Sequence, residues 1–188
     1  MKRLSATLIL AAALFASGGT FAQVHIEPHN FYWQRVVEYR GTPSAMRDRI
    51  IASGIFSDIQ RNDSTMIVGR VENVLLNYAT MEPEPRLFSL PIFFRNGEKF
   101  SGTLIYELKQ GRYRVTFNNL IYNGDMVLNV NGVSVDMRDQ PVNRIFYKSD
   151  GSFCRGARAR QFACEVFDYS FSNSFILKSD DEQQSDDW

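Results

Sequence analysis

The sequence predicts an α+β domain with an antiparallel sheet of about five strands, in the order β-α-β-β-β-β-(α). The clearest signal is in residues 112–122, which alternate between apolar and polar side chains as a strand does when one face is buried and the other is wet. Asn96-Gly97 favours a tight hairpin turn, because both residues tolerate positive φ. Residues 42–54 have the start, the apolar face and the stop of one short helix.

The first two predicted elements are a strand and this helix. In the strand, residues 30–39, large apolar side chains occupy alternate positions and are interrupted by Arg35. At the helix, Thr42 is a favourable N-cap, Pro43 suits the first turn, and Gly54 can supply a left-handed stop. The apolar face of the helix is formed by Met46, Ile50 and Ile51.

Four strands and a C-terminal helix are predicted to follow. The strands lie at residues 65–78, 87–94, 98–109 and 112–122. Gly69, in the first of them, marks a bulge or a close backbone approach. A weaker β region at residues 126–137 turns at Asn131-Gly132. The spacing of apolar residues in 158–179 favours a helix, although three of its aromatic residues also alternate as in a strand.

The N-terminus has the three parts of a secretory signal peptide: Lys2 and Arg3, a short apolar run, and small residues before a cut after Ala22. We therefore expect a periplasmic or secreted protein without a transmembrane segment in the mature chain, because the apolar run is too short to span a bilayer. The domain organisation is a signal peptide at 1–22, a flexible N-terminal arm at 23–30, a single domain at 31–178 with an extra segment at 123–160, and a disordered acidic tail at 179–188.

The charge balance argues against nucleic acid as a partner. Loss of Lys2 and Arg3 lowers the number of basic side chains from 21 to 19, against 21 acidic ones, so the mature chain has a formal charge of −2. Binding to phosphate backbones needs a basic face. The sequence also has no phosphate-binding glycine motif, and its two histidines leave no well-placed base for a serine nucleophile. We therefore expect no enzymatic activity and no cofactor.

The only two cysteines of the chain are Cys154 and Cys164. In an exported protein such a pair is most simply a disulfide, here closing a loop of about ten residues and contributing roughly 2–3 kcal/mol through the unfolded state. A pair of buried thiols is the alternative. A catalytic dithiol is disfavoured, because such sites usually have Cys-x-x-Cys spacing.

Three stretches carry a resemblance to a known family: "VVEYRGTPSAMRDRIIASGIF", "IQRNDSTMIVGRVEN" and "FSGTLIYELKQGRYRVTFNNLIY". Together they resemble the exported bacterial domain of unknown function with a TBP-like fold, over residues 31–122. The most specific part is residues 111–115. The resemblance implies a curved antiparallel sheet with helices packed on one side, in an envelope or extracellular setting. It implies no activity, ligand or catalytic residue.

The only two histidines, His25 and His29, suggest a metal site close to the predicted cut. If Gln23 is the mature N-terminus, its amine, two amides and His25 could bind copper or nickel in a square plane. Alternatively, His25, Glu27 and His29 would share one face of a strand, although Pro28 disfavours a regular central strand there. The competing interpretation is a solvated arm that binds no metal.

Two other groups of residues are candidate binding sites. Arg112 and Arg114 lie on the wet face of their predicted strand, and with Arg70 they could bind an acidic group on a partner or ligand. The alternative is a charged outer face that keeps the sheet soluble. A groove between sheet and helices would be lined by Phe88, Phe93, Phe94, Phe100, Tyr106 and Phe117. A plain hydrophobic core would use the same residues.

These observations favour a non-enzymatic binding or interaction module of the cell envelope, whose partner is a protein or a small ligand. The alternative is a carrier of a small hydrophobic ligand in the groove between sheet and helices. A third hypothesis is a metal-binding protein that uses the N-terminal histidines. The three differ in which residues touch the bound molecule, so the position of those side chains in the fold discriminates between them.

Overall fold

In the described part of the chain, an antiparallel sheet, a small two-stranded hairpin and three helices are formed. The computed structural model describes residues 22–27, 30–82, 92–125, 127–130, 133–152 and 156–177. The strands are β1 Ala22–Glu27, β2 Asn30–Glu38, β3 Asp58–Asn62, β4 Met66–Leu75, β5 Lys99–Lys109, β6 Arg112–Tyr122, β7 Val127–Val130, β8 Val133–Asp136 and β9 Gln140–Pro141. The helices are α1 Pro43–Ala52, α2 Val142–Phe146 and α3 Ala157–Phe175.

The predicted fold class is confirmed, with more strands than expected. The main sheet has seven strands instead of about five, in the order β1-β2-β6-β5-β4-β3, with β9 pairing to β6 beside this path. All of its strand pairs are antiparallel. β7 and β8 form a separate two-stranded hairpin in the weaker β region. Its predicted turn at Asn131-Gly132 lies outside the described residues.

Both edge strands of the main sheet differ from the sequence prediction. β1 lies in the stretch that the sequence analysis assigns to an arm, and it pairs with β2 along its whole length. It ends at Glu27, directly before Pro28, which is where a proline can stand next to a strand without interrupting its hydrogen bonds. β3 is exposed at every position, so it lacks the alternation that marks a strand in a sequence.

The predicted strand at residues 87–94 is only partly within the described residues. Its last three residues, Ile92–Phe94, form a 3-10 turn instead of a strand, and residues 87–91 lie outside the described part.

The predicted close approach at Gly69 is confirmed. A Cβ atom there would lie 2.5 Å from the backbone oxygen of Asp58 and from the ring of Phe56, so a side chain would force β3 away from β4.

Helix α1 begins and ends as its sequence predicts. The Thr42 hydroxyl accepts a hydrogen bond from the Ala45 amide at 3.2 Å, and Pro43 is the first helical residue. Gly54 adopts a φ of +67°, the left-handed conformation that glycine tolerates best. Met46 and Ile50 are buried against the sheet. The helix therefore packs through the predicted apolar face.

The two faces of the sheet have different environments. On β6, Tyr113, Val115 and Phe117 are buried while Arg112 and Arg114 are exposed, as the alternation predicts. The buried face packs against α3, where Phe117 makes an edge-to-face contact with Phe171 at a centroid distance of 5.0 Å. The opposite face carries the arginines. We call the two sides of the sheet the helix face and the open face.

Aromatic rings fill the space between the sheet and the helices. The predicted C-terminal helix is present as α3, and its buried residues are Phe162, Ala163, Val166, Phe167, Ser170, Phe171 and Phe175. Phe167 touches Phe31 of β2 and Phe100 of β5 at centroid distances of 5.0 and 5.2 Å. Edge-to-face contacts of this kind add about 0.5–1.5 kcal/mol each to the burial of the rings.

Polar contacts also cross this aromatic interface, and two of them join α3 to β2. The Trp33 indole nitrogen donates a hydrogen bond to Asp168 at 2.8 Å, and Arg35 donates to the Ser172 hydroxyl at 2.7 Å. Arg35, which interrupts the apolar pattern of its strand in the sequence, therefore lies on the helix face with Trp33. These contacts fix α3 in register against β2, because each donor has its acceptor at one place along the helix.

Candidate binding surface

The three predicted arginines lie on the open face, but they do not converge. Arg112 and Arg114 are neighbours on this side of β6. Arg70 on β4 is paired with Thr103 of β5, whereas Arg114 is paired with Glu107 of β5. These partners are four residues apart along β5, so the arginines are separated by roughly 13 Å along the strand direction. Binding of one acidic group by all three is therefore not favoured by the register.

Each of the separated arginines has its own carboxylate. The Arg70 side chain donates a hydrogen bond to Glu72 at 2.9 Å. Arg114 donates two hydrogen bonds to Glu107, at 2.5 and 2.6 Å, in a bidentate pair. The hydrogen bonds from Arg114 hold the pKa of Glu107 below its ordinary value, against the opposing effect of partial burial. Glu107 is therefore ionised at neutral pH and orients Arg114 across the sheet.

A compact group of side chains surrounds this pair on the open face. It consists of Val36, Glu107, Lys109, Arg112 and Arg114, which together with Tyr113 line a shallow pocket of about 260 Å³. We call this group the open-face patch. Val36 stands directly opposite Arg114 in the β2–β6 pairing and is 39% exposed. The patch therefore combines an exposed apolar side chain with three cations and one carboxylate.

Sequence reasoning identified the two arginines of the patch and missed its other members. The alternation in the sequence places Val37 with the inward-facing residues of its strand and leaves Val36 on the other side, but it does not indicate which residues of other strands lie beside Val36. The pairing of β2 with β6 settles this, because it places Arg114 opposite Val36, and a shift of one residue would move Val36 to the helix face. Glu107 joins the patch through its register with Arg114 across β5 and β6. Its position seven residues before Arg114, across a Gly111 turn, is the signal from which it could have been found.

The aromatic residues predicted to line a groove form the core instead. Phe93, Phe94, Phe100, Tyr106 and Phe117 are each between 0% and 9% exposed and belong to one buried cluster. Phe88 lies outside the described residues. The rings of Phe94, Phe100 and Phe117 are in contact with rings of α3, so the described members of this set fill space between sheet and helices.

The predicted metal ligands are only partly described. His25 lies on β1, where its ring stacks on Tyr32 at a centroid distance of 4.4 Å and an interplanar angle of 6°. Glu27 accepts a hydrogen bond from the Tyr32 hydroxyl at 3.1 Å. His29 lies outside the described residues. Within the part of the chain that the structure describes, no three histidine, cysteine, aspartate or glutamate side chains are grouped as a metal site would require.

The predicted disulfide also stays a prediction. Cys164 lies half-buried on α3, and burial raises the pKa of its thiol above the ordinary value. Cys154 lies outside the described residues.

α3 is 19 residues long, but neither it nor the other described helices combine the length and the apolar character needed to cross a membrane.

Comparison with known proteins finds similarity in structure only. No protein-family model matches the sequence, and no curated protein sequence does. A TBP-like protein from Parabacteroides distasonis is 12% identical, with 81% of this chain and 94% of that chain covered and a TM-score of 0.46. A DUF4468 family protein from Bacteroides ovatus is also 12% identical, with 84% and 92% covered and a TM-score of 0.39. The first description names a TBP-like protein, and the second names only the DUF4468 family. No ligand, activity or residue role is carried over from either.

Proposed function

We propose that this chain is a non-enzymatic binding module of the cell envelope, and that it binds a protein partner on the open-face patch. The observation that carries the proposal is the composition of the patch: a half-exposed Val36 beside the ordered Arg114–Glu107 pair, with Lys109 and Arg112 next to them. Protein interfaces have an apolar centre and a polar rim and are enriched in arginine, and the patch offers an apolar side chain with two arginines beside it. The envelope setting rests on the signal-like residues 1–22.

The charges define the chemistry of the partner. Three cations and one carboxylate give the patch a formal charge of +2, which falls to +1 when Glu38, opposite Arg112 on β2, is included; the mature sequence as a whole carries −2. Since complementary charges steer association and exclude wrong partners, the partner segment carries carboxylates around an apolar side chain. The planar guanidinium of Arg112 can bind a carboxylate through two hydrogen bonds. Arg114 already donates two such hydrogen bonds to Glu107, and these hold the Arg114 side chain in place at the centre of the patch.

Site-specific photo-crosslinking in the cells that produce the protein tests this proposal. A photoreactive residue replaces Val36 on the open face, and in a matched control it replaces Glu165, which is exposed on α3. We expect a discrete crosslinked protein at Val36 that does not form at Glu165. Adding Arg112→Glu should lower its yield by about tenfold, because a like charge then faces the partner. Equal products at both positions, or a yield that Arg112→Glu leaves unchanged, would contradict the proposal.

A further inference from the structure

A second cleft lies at one end of the sheet, away from the open-face patch. It has a volume of about 910 Å³ and is formed where the end of β2, the β5–β6 turn, helix α1 and the residue Leu177 after α3 meet. Clefts of roughly 300–1,000 Å³ accommodate small organic ligands. We call it the α1 cleft. None of the residues proposed for partner binding on the open face lines it.

The floor of the α1 cleft contains a buried hydroxyl with a proton to donate. Tyr113 lines the cleft although the residue is only 2% exposed, and its ring packs against Tyr106 at a centroid distance of 5.8 Å. Among the described residues, the Tyr113 hydroxyl has no hydrogen-bond acceptor. Burial raises the pKa of Tyr113 to about 12, so the proton remains on the oxygen at neutral pH. A buried donor without an acceptor destabilises the unbound protein, and a ligand oxygen that accepts this hydrogen bond would remove that cost.

Positive charge surrounds this hydroxyl. Arg49, in the last turn of α1, and Arg40, just after β2, both line the cleft. Burial has the largest effect on the pKa of Tyr113, and a hydrogen bond from the Leu177 backbone and the charges of Arg35 and Arg49 oppose it. Glu38 also borders the cleft. It is paired with Arg112 across β2 and β6, so its side chain lies on the open face of the sheet. The helix side of the cleft therefore favours an anion.

Apolar side chains form the rest of the wall. Val37 and Tyr39 follow the helix face at the end of β2, and Leu177 closes the far side. The Tyr39 ring lies directly over Gly41, where a Cβ atom would collide with it. An inorganic anion would leave these surfaces in contact with water, whereas an acid with an apolar body would cover them. Burial of apolar surface contributes roughly 25 cal/mol for each Å² removed from water.

We propose that the α1 cleft binds a small amphipathic carboxylic acid. Its carboxylate accepts hydrogen bonds from Tyr113 and Arg49, and its apolar body packs against Val37, Tyr39 and Leu177. Arg40 lies at the rim and adds to the attraction. This ligand is additional to the protein partner of the open-face patch, and each site can fail without the other.

Calorimetric titration of the full mature chain with 4-phenylbutyrate tests the inference. The acid should bind about tenfold more tightly than 4-phenylbutanamide, which has the same body without the charge, and acetate should bind more weakly than the acid. Arg49→Gln should weaken binding of the acid by about tenfold, and Tyr113→Phe, which removes only the hydroxyl, by about threefold. Arg61→Gln is the matched control, because Arg61 is exposed on β3 and lines neither site; it should leave the affinity unchanged.

Two further variants keep the result interpretable. If Arg49→Gln does not fold, Arg40→Gln reports on the same charge at the rim, with a smaller loss expected. Because residues 180–188 contain five carboxylates, the titrations are repeated on a chain that ends at Ser179, where the same ratio of acid to amide affinity is expected. Equal binding of acid and amide, an affinity that Arg49→Gln and Tyr113→Phe leave unchanged, or no heat of binding at millimolar acid would each overturn the inference.

Discussion

A Phe167→Ala variant is expected to lose about 3–5 kcal/mol of unfolding free energy, the range typical of a buried phenylalanine replaced by alanine. Phe167 is 0% exposed and lies at the centre of the helix face. Its ring is in contact with those of Phe31, Phe94, Phe100, Phe146 and Phe171, at centroid distances between 5.0 and 6.0 Å. Loss of the ring would leave a cavity whose walls belong to several elements, so that no single movement could close it.

Urea unfolding followed by circular dichroism measures this loss. Glu165→Ala provides the matched control, because Glu165 is exposed on the same helix; its change should stay within about 0.5 kcal/mol. If Phe167→Ala cost no more than the Glu165 variant, α3 would not seal the sheet as described. A Phe100→Ala variant, at another residue that is 0% exposed, measures the contribution of β5 to this cluster separately from that of α3.

An Asp168→Ala variant is expected to lose about 1.5–3 kcal/mol, the range for a hydrogen bond to a charged group. Asp168 accepts the only hydrogen bond described for the indole nitrogen of Trp33, which is 0% exposed. Its loss would leave a buried donor unsatisfied and would also remove the weak contact of 3.5 Å from the Ser172 hydroxyl. Ser172 in turn holds Arg35 at 2.7 Å, so the effect extends to both polar contacts between α3 and β2.

The same unfolding experiment on Asp168→Asn separates the hydrogen bond from the charge. The asparagine oxygen can still accept from the indole, so this variant should keep more than half of the stability that alanine loses. Equal losses in the two variants would show that the carboxylate acts through its charge. A loss below about 0.5 kcal/mol for alanine would contradict the role given to this contact, since changes of that size are typical of surface positions.

The part of the fold that local signals specify was predictable from the sequence. The alternation in β6 gave the correct buried face, and Thr42 and Gly54 gave the correct bounds of the first helix. The edge strands were not predictable in this way. β3 is exposed throughout. β1 is defined by its hydrogen bonds to the adjacent strand β2, whereas in the sequence it is followed directly by Pro28, which disfavours a regular central strand.

The candidate sites depend even more on tertiary pairing. Arg112 and Arg114 are recognisable from their alternation alone, but Val36 and Glu107 join them only when β2, β6 and β5 are in register. Arg35 also depends on tertiary structure. A charged residue would be expected on the exposed face of a strand, but Arg35 lies on the helix face, where it donates a hydrogen bond to Ser172 of α3. For the α1 cleft, Tyr113 and Arg49 come together only when the helix packs on the sheet.

The central claim is that the helices cover one face of the sheet and leave the other face accessible to a partner. Methyl NMR with a soluble paramagnetic agent tests it directly, because relaxation increases with the exposure of each methyl group. Val36, Val68 and Ile105 lie on the open face, whereas Leu104 and Val115 lie on the helix face and are 0% exposed. We predict strong relaxation for the first three and little for the last two. Equal protection of Val68, Ile105 and Leu104 would contradict the account.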